Sequence, residues 1–235
     1  MKTVKTSLTG LLLLFVFAVK AQVKDLPAIG TSAIVGKAEG IAVEVKVTAP
    51  SAQETPLQIA CVFEYTEGDI TNPPALPAAL NGMLHVDEAL HGMISYLRKS
   101  GKFSGHAFET LLITPPAGTL KAKQLLLIGL GDRNTFNAQV MYTIGAIGMR
   151  EALKLGVPSY SHASNIKDAG IDSPTAEVAE NVVKGALDAY NTQVYLKEKK
   201  MSVFKPVTKF TLLSGPAFYG ASSEAVKHAL VPYQH

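Results

Sequence analysis

The sequence predicts an α/β fold in which a mainly parallel β-sheet carries helices on both faces. Short apolar segments alternate along the chain with longer segments whose apolar residues recur at helical spacing, which is the pattern of successive β-α-β units. Residues 124–128 are apolar on both faces, as is typical of a central strand in a parallel sheet. The chain is also long enough for one α/β domain with a sizeable core, alone or with a tail.

The first 21 residues have the layout of a secretory signal peptide. Lys2 and Lys5 precede an apolar run over residues 8–19, and Ala21 is the small residue at the expected cleavage site. The run is shorter than the ~20 apolar residues that a membrane span requires. We therefore expect cleavage after Ala21 and export to the periplasm or the extracellular medium. The alternative is a retained anchor or a buried N-terminal helix.

Export would also remove the positive net charge of the chain. The full sequence has 22 Lys and Arg against 19 Asp and Glu, and three of the lysines but none of the acids lie in residues 1–21. The mature chain would be neutral, which argues against a nucleic-acid-binding surface. The basic cluster Lys197–Lys200 is interrupted by Glu198 and predicts a solvated helix end. Cys61, the only cysteine, excludes an intramolecular disulfide and is expected to be a small buried hydrophobe.

The elements that follow the signal begin with a loose lead-in over residues 22–40. Alternating apolar and polar residues predict a half-buried strand at 41–48, and a more continuous apolar segment predicts a central strand at 57–65. We therefore divide the mature chain into a lead-in with one strand (22–56) and a domain (57–235).

The next elements are a loop, a helix and a strand. Three prolines within residues 69–81 exclude regular structure there. Apolar residues at helical spacing predict one helix over 85–99, with Gly101 as its natural stop. Residues 110–114 form a predicted short strand that two prolines end.

The second half of the chain repeats the strand-helix pattern. A helix is predicted after the strand at 124–128, with Thr135 as its cap and Gly156 as its end, and Gly145 and Gly148 are expected to allow close packing on the sheet. A helix that begins at Ser173-Pro174 is expected to run to about Tyr190. Brief strands are predicted at 157–160 and 209–213, and a last helix at 222–230.

The segment LLLIGLGDR, residues 125–133, is the first candidate for a ligand site. Ligands of open α/β sheets bind beyond the carboxyl ends of the strands. We therefore place a possible ligand crevice at Gly129, Gly131, Asp132, Arg133 and Thr114. The segment matches neither a dinucleotide fingerprint, which needs a third glycine and a ribose-binding acid, nor a phosphate-binding P-loop. The alternative is that the two glycines only permit a sharp turn from strand to helix.

Other candidates for chemistry are weaker. Glu88 and His91 have the spacing of a carboxylate-histidine metal pair, but a metal site of that kind needs further ligands that the sequence lacks, and a helix-capping role for the neighbouring His85 and Asp87 is the alternative. No nucleophile elbow occurs, and His106 and His162 are expected in exposed loops. We therefore predict no catalytic residue, no metal ligand and no cofactor.

A resemblance to a known family is carried by residues 97–136, LRKSGKFSGHAFETLLITPPAGTLKAKQLLLIGLGDRNTF. The order Gly-x-Phe-x-Gly (101–105), Glu-Thr-Leu (109–111) and a Leu-rich strand that ends in Gly-Leu-Gly (125–131) resembles the N-terminal domain of the leucyl aminopeptidase (cytosol aminopeptidase) family. The resemblance extends over about residues 57–200 and, more loosely, over residues 201–230. It implies a three-layer α/β/α fold with a mostly parallel, mixed sheet similar to that of macro domains. The family's dimetal catalytic domain has no matching positions here, so the resemblance transfers no metal ligand or catalytic residue.

Three hypotheses for the function follow. The first is an exported, non-catalytic, stand-alone domain with a binding or assembly role, including self-association. The second is a macro-like protein that binds a nucleotide, a peptide or another small ligand, and the third is an accessory subunit of a separate metallo-aminopeptidase. None of them implies a nucleic-acid partner or, after removal of the signal, a membrane partner.

Overall fold

A seven-stranded mixed sheet forms the middle layer of the protein. The computed structural model describes residues 26–234, so the predicted signal peptide and its cleavage site lie outside the described residues. The strand order is β1-β2-β7-β6-β3-β5-β4, with β2, β7, β6, β3 and β5 parallel and the two edge strands antiparallel. The strands are β1 (Ser32–Ala38), β2 (Ile41–Val47), β3 (Thr55–Val62), β4 (Thr110–Ile113), β5 (Ala122–Gly129), β6 (Ser159–Ala163) and β7 (Lys209–Ser214).

Helices cover both faces of the sheet, which confirms the predicted α/β/α architecture. One face packs against α3, α4 and α5 in a large apolar core, and the other packs against α1 and α2 over the β3 and β5 strands. No helix within residues 26–234 is long and apolar enough to cross a membrane. The helices are α1 (Gly82–Ala89), α2 (Met93–Lys99), α3 (Val140–Leu155), α4 (Thr175–Glu198) and α5 (Tyr219–Leu230).

The expected lead-in over residues 22–40 is wrong from Ser32 onward, because β1 lies there. The segment 22–56 therefore holds two complete strands rather than one, and β1 pairs with β2 as an edge of the main sheet. The sequence pattern misses β1 because most of its residues are at least partly exposed and a bulge between Ile34 and Gly36 interrupts the alternation. Gly36 has a packing role, since a Cβ there would approach Leu230 Cδ1 on α5 to 2.5 Å.

The single helix predicted over residues 85–99 is also wrong, because two short helices occupy it. His91 and Gly92 adopt positive φ and interrupt the chain between α1 and α2. Asp87 stabilises this break: its carboxylate accepts hydrogen bonds from the N–H groups of Ile94 (2.8 Å) and Ser95 (3.1 Å) at the start of α2. The apolar residues of both helices face the sheet. The helical spacing of apolar residues therefore continues across the break, and the sequence pattern does not show where the first helix ends.

The long helices α3 and α4 pack closely against each other. The prediction that Gly145 and Gly148 both pack on the sheet is half correct. Gly148 contacts Ile59 of β3, whereas a Cβ on Gly145 would overlap the carbonyl group of Val182 on α4. The α3 helix begins at Val140 without a side-chain cap, later than Thr135 suggests, and ends at Gly156 as predicted. The α4 helix extends eight residues beyond Tyr190, because its last two turns are solvated and lack the apolar pattern.

Candidate functional site

A cleft of about 430 Å³ opens at the carboxyl edge of the sheet, beyond the ends of β2, β7 and β6. The topology creates it. The connection from β2 to β3 and the start of α1 lie on one face, whereas the chain leaves β6 and β7 for α4 and α5 on the opposite face. Divergence of successive connections to opposite faces is what opens a crevice at the carboxyl ends of a sheet.

The walls of the cleft are mainly apolar. Leu26, Ile29 and Leu80 lie at the rim and are 65%, 82% and 62% exposed, respectively. An apolar rim of this kind remains in water only at an energetic cost. Further apolar lining residues come from the β2 loop, the β6 loop, α4 and the segment after β7, and they are Val47, Pro50, Ile166, Val178, Leu213, Pro216 and Phe218.

The polar groups of the cleft are few, and the ammonium group of Lys167 already has partners. Lys167 is the one lysine in the lining among the described residues; its Nζ lies 2.7 Å from the carboxylate of Asp172 and 5.9 Å from the ring centroid of Phe218. Hydroxyl groups line the cleft at the ends of β2 and β7 and at the starts of α4 and α5, contributed by Thr48, Ser214, Ser173, Thr175 and Ser222.

Asp168 and Asn81 hold the two sides of the cleft together. Asp168 Oδ2 accepts hydrogen bonds from the Met83 N–H (2.9 Å) and from Asn165 Nδ2 (2.7 Å). Asn81 Nδ2 donates to the carbonyl of Asp168 (3.0 Å), and its Oδ1 accepts from the Leu84 N–H (2.9 Å). Burial raises the pKa of Asp168. The start of α1 is thereby fixed to the loop after β6, so the floor of the cleft is pre-formed.

Four of the predicted crevice residues lie at the same edge of the sheet but outside the cleft. Gly129, Gly131, Asp132 and Arg133 follow β5, and β3 separates β5 from the nearest strand of the cleft, β6. None of the four lines the cleft.

The Gly129–Gly131 turn has no free N–H groups with which to hold a ligand. The N–H of Gly129 donates to Glu109 (2.8 Å), that of Leu130 to Val62 (2.8 Å) and that of Gly131 to Gly105 (3.0 Å), in each case to a carbonyl oxygen. A Cβ on Gly129 would overlap the carbonyl of His106, and Gly131 has φ of 79°. The glycines therefore allow close packing and a sharp turn, which is the alternative that the sequence left open.

Asp132 and Arg133 also make internal contacts. Asp132 Oδ1 accepts from the N–H and the side-chain amide of Asn134, both at 2.9 Å. Arg133 donates a hydrogen bond to the carbonyl of Ala169, next to the cleft residue Asp168. Arg133 thus supports the loop after β6 from outside the cleft.

Thr114 is not near the other four residues, and its predicted place in the crevice is wrong. The prediction assumed that the strand at 110–114 ends at the same edge as its neighbours. However, β4 is antiparallel to β5, with Thr110 opposite Ile128 and Ile113 opposite Leu125. Thr114 therefore follows the end of β4 at the amino edge of the sheet.

Glu109 explains part of the motif at residues 101–111. Its carboxylate accepts hydrogen bonds from the N–H groups of Ser104 (3.3 Å), Gly105 (2.8 Å) and His106 (3.1 Å). Successive N–H groups arranged in this way form an anion-binding nest. Because the chain's own carboxylate occupies the nest, the loop is a structural device that positions the segment packed against Gly129.

The two histidines that the sequence places in exposed loops, His106 and His162, differ in burial. His106 is exposed as predicted, and its Nδ1 lies 2.7 Å from Glu64 Oε1, which raises the pKa of His106 through the hydrogen bond and the carboxylate charge. His162 is fully buried on β6, so its predicted place in an exposed loop is wrong. Its Nε2 lies 3.8 Å from Cys61 Sγ, and burial lowers the pKa of His162 to about 3. Cys61 is buried as predicted, and burial raises the pKa of its thiol, which keeps it protonated.

No metal-binding cluster is present in residues 26–234, where no three His, Cys, Asp or Glu side chains converge. Glu88 and His91 are not on one helical face, because α1 ends at Ala89 and His91 has positive φ.

Comparison with known proteins gives a family match for the middle of the chain. Residues 70–200 match the N-terminal domain of the cytosol aminopeptidase family. The probable cytosol aminopeptidase of Roseiflexus castenholzii is 32% identical over 130 residues, which are 54% of this chain and 26% of that protein. The corresponding protein of Nitrosococcus oceani is 29% identical over 128 residues, or 54% of this chain and 25% of that protein. The chain therefore matches about a quarter of the length of these relatives.

Solved structures share the fold at low sequence identity. A tomato leucine aminopeptidase mutant superposes with a TM-score of 0.53 at 18% identity, covering 81% of this chain and 36% of that chain. The macrodomain of Oceanobacillus iheyensis with ADP gives a TM-score of 0.51 at 13% identity and covers 86% of this chain and 98% of that chain. The macrodomain of Trypanosoma brucei in complex with ADP gives 0.52 at 14% identity, covering 86% and 78%. These similarities support the macro-like fold.

Proposed function

Because the chain belongs to the cytosol aminopeptidase family through its N-terminal domain, we propose that it is an exported, non-catalytic binding protein that holds a small apolar ligand in its carboxyl-edge cleft. The observation that carries this proposal is the cleft itself. Its volume of about 430 Å³ falls within the range of roughly 300–1,000 Å³ typical of small-molecule sites. Its mainly apolar walls and few hydroxyl groups also have the composition of such sites.

The chemistry of the walls favours an apolar ligand with little charge. Among residues 26–234, the lining holds one lysine, Lys167, which already pairs with Asp172, and no arginine; its other titratable side chains are His85 and Asp168. A polyphosphate would require several cationic or N–H donors at close range. A short apolar peptide needs mainly apolar contact area and a few hydrogen bonds, which the lining supplies. Nucleotides belong in the test because two macrodomains of the same fold carry ADP.

A thermal-shift assay with matched tryptophan variants tests the proposal. The probes are tri-leucine, ADP and ADP-ribose, each at up to millimolar concentration. At tenfold excess over the dissociation constant, a ligand stabilises the folded state by about 1.4 kcal/mol, or about 3–5 °C in a domain of this size. Ala217→Trp adds bulk at an exposed position in the cleft lining, whereas Ala117→Trp adds the same bulk on an exposed turn outside it.

The expected result is a shift with tri-leucine that Ala217→Trp abolishes and Ala117→Trp preserves. A shift with ADP or ADP-ribose but not with tri-leucine would contradict the proposal that the ligand is apolar. It would still be compatible with the cleft as the binding site. A shift that survives in Ala217→Trp would show that the ligand binds elsewhere.

The non-catalytic part of the proposal has its own test. It is supported by the match to the N-terminal domain and by the buried, protonated thiol of Cys61. We expect the purified protein not to hydrolyse leucine-p-nitroanilide with added Mn²⁺ or Zn²⁺. Hydrolysis in proportion to the amount of pure protein would contradict the proposal that the protein is non-catalytic.

Export rests on the predicted signal peptide. We expect the protein recovered from the cell envelope or the medium to begin at Gln22 by intact mass. A protein that keeps Met1 and stays in the cytoplasm would contradict export.

A further inference from the structure

The turn that follows α4 exposes aliphatic side chains to an unusual degree. Val203 is 97% exposed, Met201 is 75% exposed, and Tyr195 in the last turns of α4 is 56% exposed. Val203 has the highest exposure of the large hydrophobic residues in the described part of the chain. We call residues 195–205 the basic turn, because lysines surround these apolar side chains.

Four exposed lysines of the basic turn carry charge that no acid neutralises. Within residues 26–234, neither Lys197, Lys199, Lys200 nor Lys205 forms an ion pair, and Glu198 is the only acid among them. Two of the lysines instead lie against aromatic rings: Lys197 Nζ is 5.1 Å from the Phe204 ring centroid, and Lys199 Nζ is 5.3 Å from that of Tyr195.

The basic turn is held in one conformation by its backbone. Lys200 has φ of 59°, and the Met201 N–H donates to the carbonyl of Leu196 (2.8 Å), which closes the end of α4. Ser202 Oγ donates to Gln193 Oε1 at 3.0 Å. The exposed side chains are therefore presented by a fixed backbone, and less conformational entropy is lost when they contact a partner.

The basic turn lies at the opposite end of the molecule from the cleft. The α4 helix begins at the cleft and is 24 residues long, which corresponds to about 36 Å. The chain then enters β7 from the amino edge of the sheet. A surface that contacts the basic turn would leave the cleft open.

We propose that the basic turn attaches the protein to the surface of a bilayer that contains anionic lipids. The lysines would lie at the level of the headgroups, and Val203 and Met201 would enter the boundary with the acyl chains. Interfacial segments combine aliphatic and basic residues in this way. A nucleic acid would also bind the lysines, but exposed aliphatic side chains would add little to its affinity. The combination of lysines and exposed aliphatic side chains therefore favours a membrane.

The neutral net charge of the mature chain does not oppose this proposal. The expectation of no membrane partner rests on removal of the apolar signal segment, whereas attraction to anionic lipids depends on the charges close to the surface. The cluster Lys197–Lys200 does lie at the solvated end of α4, as its sequence suggests. The sequence pattern could not show that the aliphatic side chains of residues 201–203 lie exposed beside it.

Single-tryptophan variants provide the most specific test, because the chain has no tryptophan of its own. Val203→Trp is compared with Leu80→Trp, which places the reporter at the rim of the cleft. The protein is used as recovered after export, with vesicles of phosphatidylcholine alone or with one third phosphatidylglycerol. We expect the emission of Val203→Trp to shift to the blue only with the anionic vesicles and that of Leu80→Trp to stay unchanged. No shift at position 203 would overturn the proposal.

Vesicle sedimentation with charge variants separates the basic turn from general electrostatic attraction. Lys199→Glu/Lys200→Glu is matched by Lys99→Glu/Lys102→Glu, which makes the same change in net charge at the end of α2. Each lysine contributes about fivefold to binding of anionic membranes. We therefore expect at least a 25-fold loss with the first variant, a loss of tenfold or more with Val203→Asp, and less than twofold loss with the Lys99/Lys102 variant.

Three results would contradict the proposal. These are equal binding to neutral and anionic vesicles, equal losses in the two charge variants, and capture of an acidic protein without vesicle binding. The last result would assign the basic turn to a protein partner. A retained signal peptide would affect every variant equally and leave the contrasts unchanged.

Discussion

Acidification is expected to destabilise the fold through His162, which the sheet buries completely. Its Nδ1 has no hydrogen-bond partner, its Nε2 lies 3.8 Å from Cys61 Sγ, and burial lowers its pKa from 6.5 to about 3. Below pH 6.5 the unfolded chain therefore binds a proton at this imidazole that the folded protein does not bind until about pH 3. Because the unfolded state binds more protons over this range, stability falls as the pH falls.

The size of the effect follows from the difference in pKa. Each pH unit below 6.5 costs up to about 1.4 kcal/mol, so His162 alone lowers the free energy of unfolding by about 2 kcal/mol between pH 8 and pH 5. His162→Leu removes this contribution at similar side-chain volume. The assay is urea unfolding at both pH values, followed by circular dichroism because the chain lacks tryptophan.

The wild-type protein and the variant share all other titrating groups, so their difference isolates His162. His106 acts in the opposite direction, because Glu64 raises its pKa, but it is exposed and present in both proteins. We expect the loss between pH 8 and pH 5 to be about 2 kcal/mol smaller in His162→Leu. Equal losses in the two proteins, or titration of the His162 ring near pH 6.5 by NMR, would show that burial of His162 does not cause the loss of stability.

Three further substitutions and one control test the packing and the buried polar contacts, each by urea unfolding at pH 8. Gly145→Ala should cost about 3 kcal/mol or more, because its Cβ would overlap the backbone of α4, whereas Gly220→Ala has no atom within 4 Å and should stabilise α5 by up to about 1 kcal/mol. Arg98→Met should cost about 3–5 kcal/mol, because it leaves the buried Asp69 carboxylate without its partner at 2.5 Å. Asp188→Ala should cost about 2 kcal/mol, since its carboxylate accepts hydrogen bonds from two tyrosine hydroxyls at 2.7 Å.

Each of these substitutions has a result that would count against its stated cause. A Gly145→Ala protein as stable as Gly220→Ala would show that α3 and α4 separate without cost. If the loss of stability in Arg98→Met stayed the same when Asp69 is also replaced by Asn, the unpaired Asp69 carboxylate would not be its cause. For Asp188, Tyr233→Phe should lose about half as much as Asp188→Ala, and no loss would assign the effect to another contact.

The fold was largely predictable because its main signals are local. The apolar strands and the α3 helix follow from short-range periodicity, and the resemblance at residues 97–136 predicted the macro-like layers. The edge strand β1 escapes prediction because most of its residues are at least partly exposed and a bulge interrupts its alternation. The break between α1 and α2 depends on one carboxylate, that of Asp87, whose role becomes visible only in three dimensions.

The crevice that the sequence predicts and the proposed cleft lie at the same edge of the sheet but beside different strands. The Gly129–Arg133 turn has a recognisable pattern, yet its polar groups make internal contacts. The cleft instead combines ordinary residues from distant segments, such as Pro50, Ile166 and Phe218, and no motif marks them. The misplacement of Thr114 has a single cause, since the direction of an edge strand is not encoded in its own sequence.

NMR titration of the ¹⁵N-labelled protein with tri-leucine is the decisive test of ligand binding in the cleft, because it locates the bound ligand by residue. We predict amide shift changes at residues 163–168, 214, 215, 217 and 218, which line the cleft on the β6 and β7 side, and none at residues 129–133. Shift changes centred on the Gly129–Arg133 turn, with the cleft residues unmoved, would contradict binding in the cleft.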